Sequence, residues 1–66
     1  MVSYNKLWKL LIDKHLTKTQ LMKLAKISTT SLAKLTKGQS ISTNILCKIC
    51  NVLHCDFGDI MQFVAY

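Results

Sequence analysis

The chain has 66 residues, which allows one small domain, residues 1–66, around one small core. Half of the residues are hydrophobic, with no proline and two glycines, which excludes a disordered tail and disfavours a turn-rich β fold. Nine lysines stand against three aspartates and no glutamate, and the formal net charge of +6 predicts attraction to a polyanion, nucleic acid ahead of anionic membrane.

In chain order, Ser3 is placed to cap a first helix. Within it Tyr4, Leu7, Trp8, Leu11 and Ile12 recur at helical spacing and make one apolar stripe. Asn5, Lys6, Lys9, Asp13 and Lys14 form its wet side, with Leu10 at the margin. Lys14 and His15 close it, where positive charge complements the helix dipole. Trp8 reads as a core anchor.

Thr17 with Gln20 three residues later is a capping-box pattern, and it opens a short helix from about Lys18 to Ala25. Leu21, Leu24 and Ala25 point inward by spacing, Met22 fills the gap beside them, and Lys23 and Lys26 face out. The free N–H groups at this helix start, with Lys18 and Gln20 nearby, make a seat for phosphate. Only Lys26-Ile27-Ser28 separates this helix from the next. So short a link forces a steep crossing with Ile27 tucked beneath, the helix-turn-helix arrangement, at roughly Lys18 to Lys37.

Ser28 caps the second helix of that motif, Leu32 and Leu35 share its buried face, and Gly38 stops it. Its outer face carries Thr29, Thr30, Ser31, Lys34 and Lys37 and no acidic residue. Small hydroxyls followed by lysines suit a helix that enters a DNA groove; the alternative is a polar face that is merely solvated.

Gln39-Ser40-Ile41 is a connector, and Ser42 caps a fourth helix from about Thr43 to Leu53. Its apolar face of Ile45, Leu46, Ile49, Val52 and Leu53 floors the core. After a break at His54-Cys55, Asp56 caps a last short helix with Asp59 in its first turn. Phe57, Ile60, Met61, Phe63 and Val64 load this segment, which ends at Tyr66, with more apolar surface than one helix needs. Part is expected to dock on Leu7 and Leu11. The remainder, Phe63, Val64 and Tyr66, is a candidate dimer face. The fold class expected from these elements is all-α, a compact bundle of five short helices containing a helix-turn-helix.

This order of elements resembles the small lambda-repressor-like (Xre/Cro-type) helix-turn-helix transcriptional regulators over nearly the whole chain. The resemblance rests on T-Q-L-M-K-L-A, then I-S-T-T-S-L-A-K-L-T-K-G, then I-L-C-K-I-C-N-V-L-H-C-D-F-G-D-I-M. It implies sequence-specific binding of double-stranded DNA. Thr29, Thr30, Ser31 and Lys34 would reach base edges, and Lys18, Thr19, Gln20, Lys37, Gln39 and Ser40 would contact phosphates. A module of this size reads few base pairs, so a homodimer on a two-fold related operator is the expected working form. The chain departs from the family pattern at Lys26, where Gly is frequent, at Met22, where a small residue is common, and at Thr36, where an acid often stands.

Cys47, Cys50, His54 and Cys55 form a C-x2-C-x3-H-C cluster, but Cys47 and Cys50 fall inside a helix that also needs an inward face. They read as packing residues with no metal bound, and His54 as a helix-end residue. No phosphate-cradling glycine loop and no nucleophile–base pairing appears. An enzyme, a cofactor and a small-molecule substrate are therefore not expected. No apolar run is long enough to span a bilayer and no signal-peptide pattern opens the chain, which points to a cytoplasmic protein without a membrane partner. The rival to a DNA-binding regulator is a protein-interaction module on the same fold, an antitoxin-like or anti-repressor partner.

Overall fold

The structure, a computed structural model, describes residues 2–65. Its elements in order are β1 (Val2–Ser3), α1 (Asn5–Asp13), α2 (Lys18–Ala25), α3 (Thr29–Thr36), α4 (Thr43–Leu53), a single 3₁₀ turn (Phe57–Asp59) and β2 (Gln62–Phe63). The described residues are thus mostly helical, with four α-helices rather than five and a small two-stranded sheet.

Three of the four helices begin on the side chain that the sequence marks. Thr17 Oγ1 accepts the Gln20 N–H at 3.1 Å while Gln20 Oε1 accepts the Thr17 N–H at 2.8 Å, a complete capping box. Ser28 Oγ accepts the Ser31 N–H, and Ser42 Oγ accepts the Ile45 N–H. The exception is α1. Its N-cap position is Tyr4, which makes no side-chain cap, because Ser3 is held extended by pairing with Gln62. Ser3 Oγ still accepts the Asn5 N–H, at 3.3 Å.

The helices end alike. His15, Lys26, Gly38 and His54 all adopt the left-handed conformation, with φ of 57°, 56°, 71° and 54°. At such a residue the chain turns back and its N–H groups reach the last free carbonyls. After α1, His15 N–H bonds Ile12 and Leu16 N–H bonds Leu11; after α3, Gly38 N–H bonds Leu35 and Gln39 N–H bonds Lys34. Gly38 is the only glycine among the four. A Cβ added there would lie 3.5 Å from the Val2 carbonyl, so the end of α3 rests against β1.

The core collects Tyr4, Leu7 and Leu11 from the α1 end, Leu21 and Ala25 from α2, and Ile27 from the turn. Leu35 of α3, Leu46, Ile49 and Leu53 of α4, and Ile60 complete it. Two residues expected inside lie outside: Ile12 is 72% exposed and Leu24 55% exposed. Each helical residue advances about 100°, so Ile12 stands one step round from Leu11, beyond the stripe centred on Leu7 and Leu11. Leu24 likewise flanks the Leu21–Ala25 line. Trp8 and Met22 are half-buried against the core.

The fifth helix shrinks to one turn. Asp56 accepts the Phe57 N–H at 2.7 Å and Asp59 accepts the Asp56 N–H at 2.9 Å, so the capping chemistry is as expected. Gly58 lies within the turn, and glycine is a poor helix former. Ile60 is fully buried and its φ of −121° leaves the helical region. The chain then runs extended. Gln62 and Phe63 pair antiparallel with Ser3 and Val2. No helix among the described residues is long and apolar enough to cross a membrane.

Candidate nucleic-acid interface

The turn between α2 and α3 keeps its left-handed residue although that residue is Lys26 (φ 56°, ψ 45°). Lys26 N–H and Ile27 N–H both return to the Met22 carbonyl, and Ile27 is buried beneath the turn. The geometry that glycine would give is therefore kept at a steric cost, roughly 1 kcal/mol for an L-residue.

On α3, Leu35 is buried and fixes which side faces the core. Thr29, Thr30, Lys34 and Lys37 are exposed. Ser31 is half-buried, and Ser28 Oγ donates to its hydroxyl at 3.1 Å, so Ser31 stands at the edge of the outward strip. Ala33 is exposed and two positions from Leu35, on the opposite side of the helix. Alanine carries no polar group that would mark it in the sequence, and its distance from Leu35 around the helix is what sets it on the outward strip. Leu32 is half-buried, and Thr36 Oγ1 donates to its carbonyl.

The flanking residues also lie at the surface. Lys18, Thr19 and Gln20 at the start of α2 are exposed, as are Gln39 and Ser40 beyond α3. Gln20 has already committed its carbonyl to the capping box, which leaves its amide nitrogen to donate. Lys18 Nζ lies 4.2 Å from the centroid of the Trp8 ring. The Gln39 carbonyl accepts the Tyr4 hydroxyl at 3.3 Å. Tyr4 is buried, and burial raises its phenol above the ordinary value, so it stays a donor.

Charge is distributed unevenly. The stretch 18–37 holds five lysines and no acid, while the rest of the chain holds four lysines and all three aspartates. Asp13 and Asp59 share a shallow cleft of about 540 Å³ with Lys6, Lys9 and Lys14, remote in sequence from α3. The stretch 18–37 therefore carries most of the formal net charge of +6.

Of the dimer candidates, Phe63 is 74% exposed in β2 and Val64 38% exposed beside it. Tyr66 lies outside the described residues. Cys50 and Cys55 pack against the core, but Cys47 is exposed and does not pack as expected, because Leu46 and Ile49 take the inward positions of α4. Burial and the neighbouring Cys55 thiol push the Cys50 thiol up to about 11, and burial also raises Cys55. Among the described residues no three side chains of His, Cys, Asp or Glu converge as a metal site would require. His54 serves as the left-handed residue after α4.

A family model for the Cro/C1-type HTH DNA-binding domain matches residues 6–65. The crystal structure of the transcriptional regulator VanUg, form II, superposes with a TM-score of 0.90 at 49% sequence identity, covering 92% of this chain and 81% of that one. No curated protein sequence matches. The chain belongs to the Cro/C1-type helix-turn-helix DNA-binding domain family.

Proposed function

We propose that the protein is a sequence-specific double-stranded-DNA-binding transcriptional regulator that lays α3 in the major groove. The observation that carries this reading is the outward strip of α3, exposed small hydroxyls, a methyl and lysines on a motif that holds five lysines and no acid. Thr29 and Thr30 offer a hydroxyl or a methyl to a base edge, and Lys34 suits the guanine O6/N7 edge. Ser31, at the rim of the strip, is the fourth base-contacting residue. The Ala33 methyl, between Thr30 and Lys37, fits beside a thymine methyl. Lys18, Thr19 and Gln20 on one flank and Lys37, Gln39 and Ser40 on the other contact phosphates and set register without reading sequence.

The working form on this reading is a homodimer on a two-fold related operator, joined through Phe63, Val64 and Tyr66, in the cytoplasm. The single module acts without cofactor or catalysis. Selection from a random duplex library tests all of this together. The expected outcome is a two-fold related motif, bound with an affinity that falls steeply as salt rises. Enrichment of no motif, with a shallow salt slope on bulk duplex, overturns the reading in favour of a module that binds an acidic protein.

A further inference from the structure

We propose that Trp8 is a positioning residue for DNA binding: the face of its indole holds the Lys18 ammonium at the flank of the helix-turn-helix, ready for a phosphate. This rests on the reading of Lys18 as a phosphate contact given above. Lys18 Nζ lies 4.2 Å from the ring centroid, well within the range at which an ammonium is attracted to the electron-rich face of an aromatic ring. Tryptophan is the most effective ring for this contact. The platform is fixed, because Trp8 is half-buried and packs against the core from α1. The root of the lysine is fixed too, because it follows Thr17, whose capping box with Gln20 sets the backbone.

A free surface lysine wanders through many rotamers and loses that freedom when it binds. Lys18 is exposed, yet its two ends are tied, one by the cap and one by the ring. The ring attracts the cation without neutralising it, so the full charge and its N–H donors remain available to a phosphate oxygen. Among the described residues, Lys18 is the lysine held in this way. Trp8 thus serves the interface from a helix outside the motif, as well as packing the core.

The test is a double-mutant cycle on binding of a labelled random-sequence duplex, followed by anisotropy at several salt concentrations. Trp8→Leu keeps an apolar side chain but removes the ring; Trp8→Phe keeps a ring. Circular dichroism identifies conditions in which every variant is folded. Trp8→Leu is expected to weaken binding by about two- to five-fold on any sequence, and Trp8→Phe by less. In a Lys18→Gln background, Trp8→Leu should cost nothing more. An equal loss with and without Lys18 would overturn the proposal, since Trp8 would then act through packing alone. So would unchanged affinity in Trp8→Leu alongside a clear loss in Lys18→Gln. Wild-type protein that lacks salt-dependent duplex binding would overturn the DNA-binding reading itself. Wild-type binding with an uncoupled pair overturns only the role of Trp8.

Discussion

Lys34 of α3 and Lys37, the residue that follows α3, lie three positions apart, yet on the proposed reading they report on different parts of a duplex. If Lys34 faces bases, as proposed, Lys34→Ala should cost about 1–3 kcal/mol at the selected operator and little on random DNA. If Lys37 faces a phosphate, as proposed, Lys37→Ala should weaken all sequences alike and reduce the salt slope by about one unit. Titrating both variants on operator and random duplex separates the roles; equal losses on both DNAs for Lys34→Ala would reassign it to phosphate. A second residue-scale prediction concerns the turn. Lys26 sits at φ 56°, where a Cβ is strained. Lys26→Gly should raise unfolding stability by about 1 kcal/mol, which for a chain this short is a rise of roughly 4–8 °C in Tm. The same change removes a cation from the motif, so duplex affinity should fall while stability rises. Urea melts and anisotropy on one preparation check both signs. What sequence could give at this scale was the local chemistry. Thr17, Gln20, Ser28 and Ser42 act within three residues of themselves and were legible. Ile12 and Leu24 were not, because spacing defines a stripe but not how wide a small core can make it.

At the scale of elements, α3 depends on one hydroxyl. Ser28 Oγ accepts the Ser31 N–H and donates to the Ser31 hydroxyl, each at 3.1 Å. Ser28→Ala should destabilise the protein by about 1 kcal/mol and fray the turn that carries Thr29 and Thr30. Hydrogen exchange should show the loss concentrated at the start of α3. Protection unchanged there would mean that Ile27 and Leu35 alone hold the helix. The bounds of α2 and α4 could be read from caps and periodicity because both signals are local. The final segment misled for the opposite reason. Its apolar residues fit a helix by composition, and the strand partner that draws Gln62 and Phe63 out of helical geometry lies at the far end of the chain.

For the whole molecule, the question is what covers Phe63. It is the most exposed large apolar side chain described, and it projects from a sheet that has two strands among the described residues. On the proposed dimer, wild-type protein should sediment as a dimer at micromolar concentration and Phe63→Lys as a folded monomer with weaker operator binding. A wild-type monomer both free and on DNA would overturn that assembly. The separation of charge was half legible. Counting lysines predicted a polyanion, and the folded chain adds that Asp13 and Asp59 meet Lys6, Lys9 and Lys14 in a cleft away from the motif sequence.

The pairing of Val2 with Phe63 has a consequence for how the chain acquires its shape. Each helix has its own left-handed stop, and α2, α3 and α4 have their own side-chain caps, so their ends are set by near neighbours. The strand ladder must instead close a loop nearly as long as the chain, an entropic cost that local turns do not meet. It should therefore zip last during refolding and open first under mild denaturant. Since the Val2 carbonyl abuts Gly38 and the neighbouring Tyr4 steadies Gln39, the loop beyond α3 reaches its final form only at that closing step.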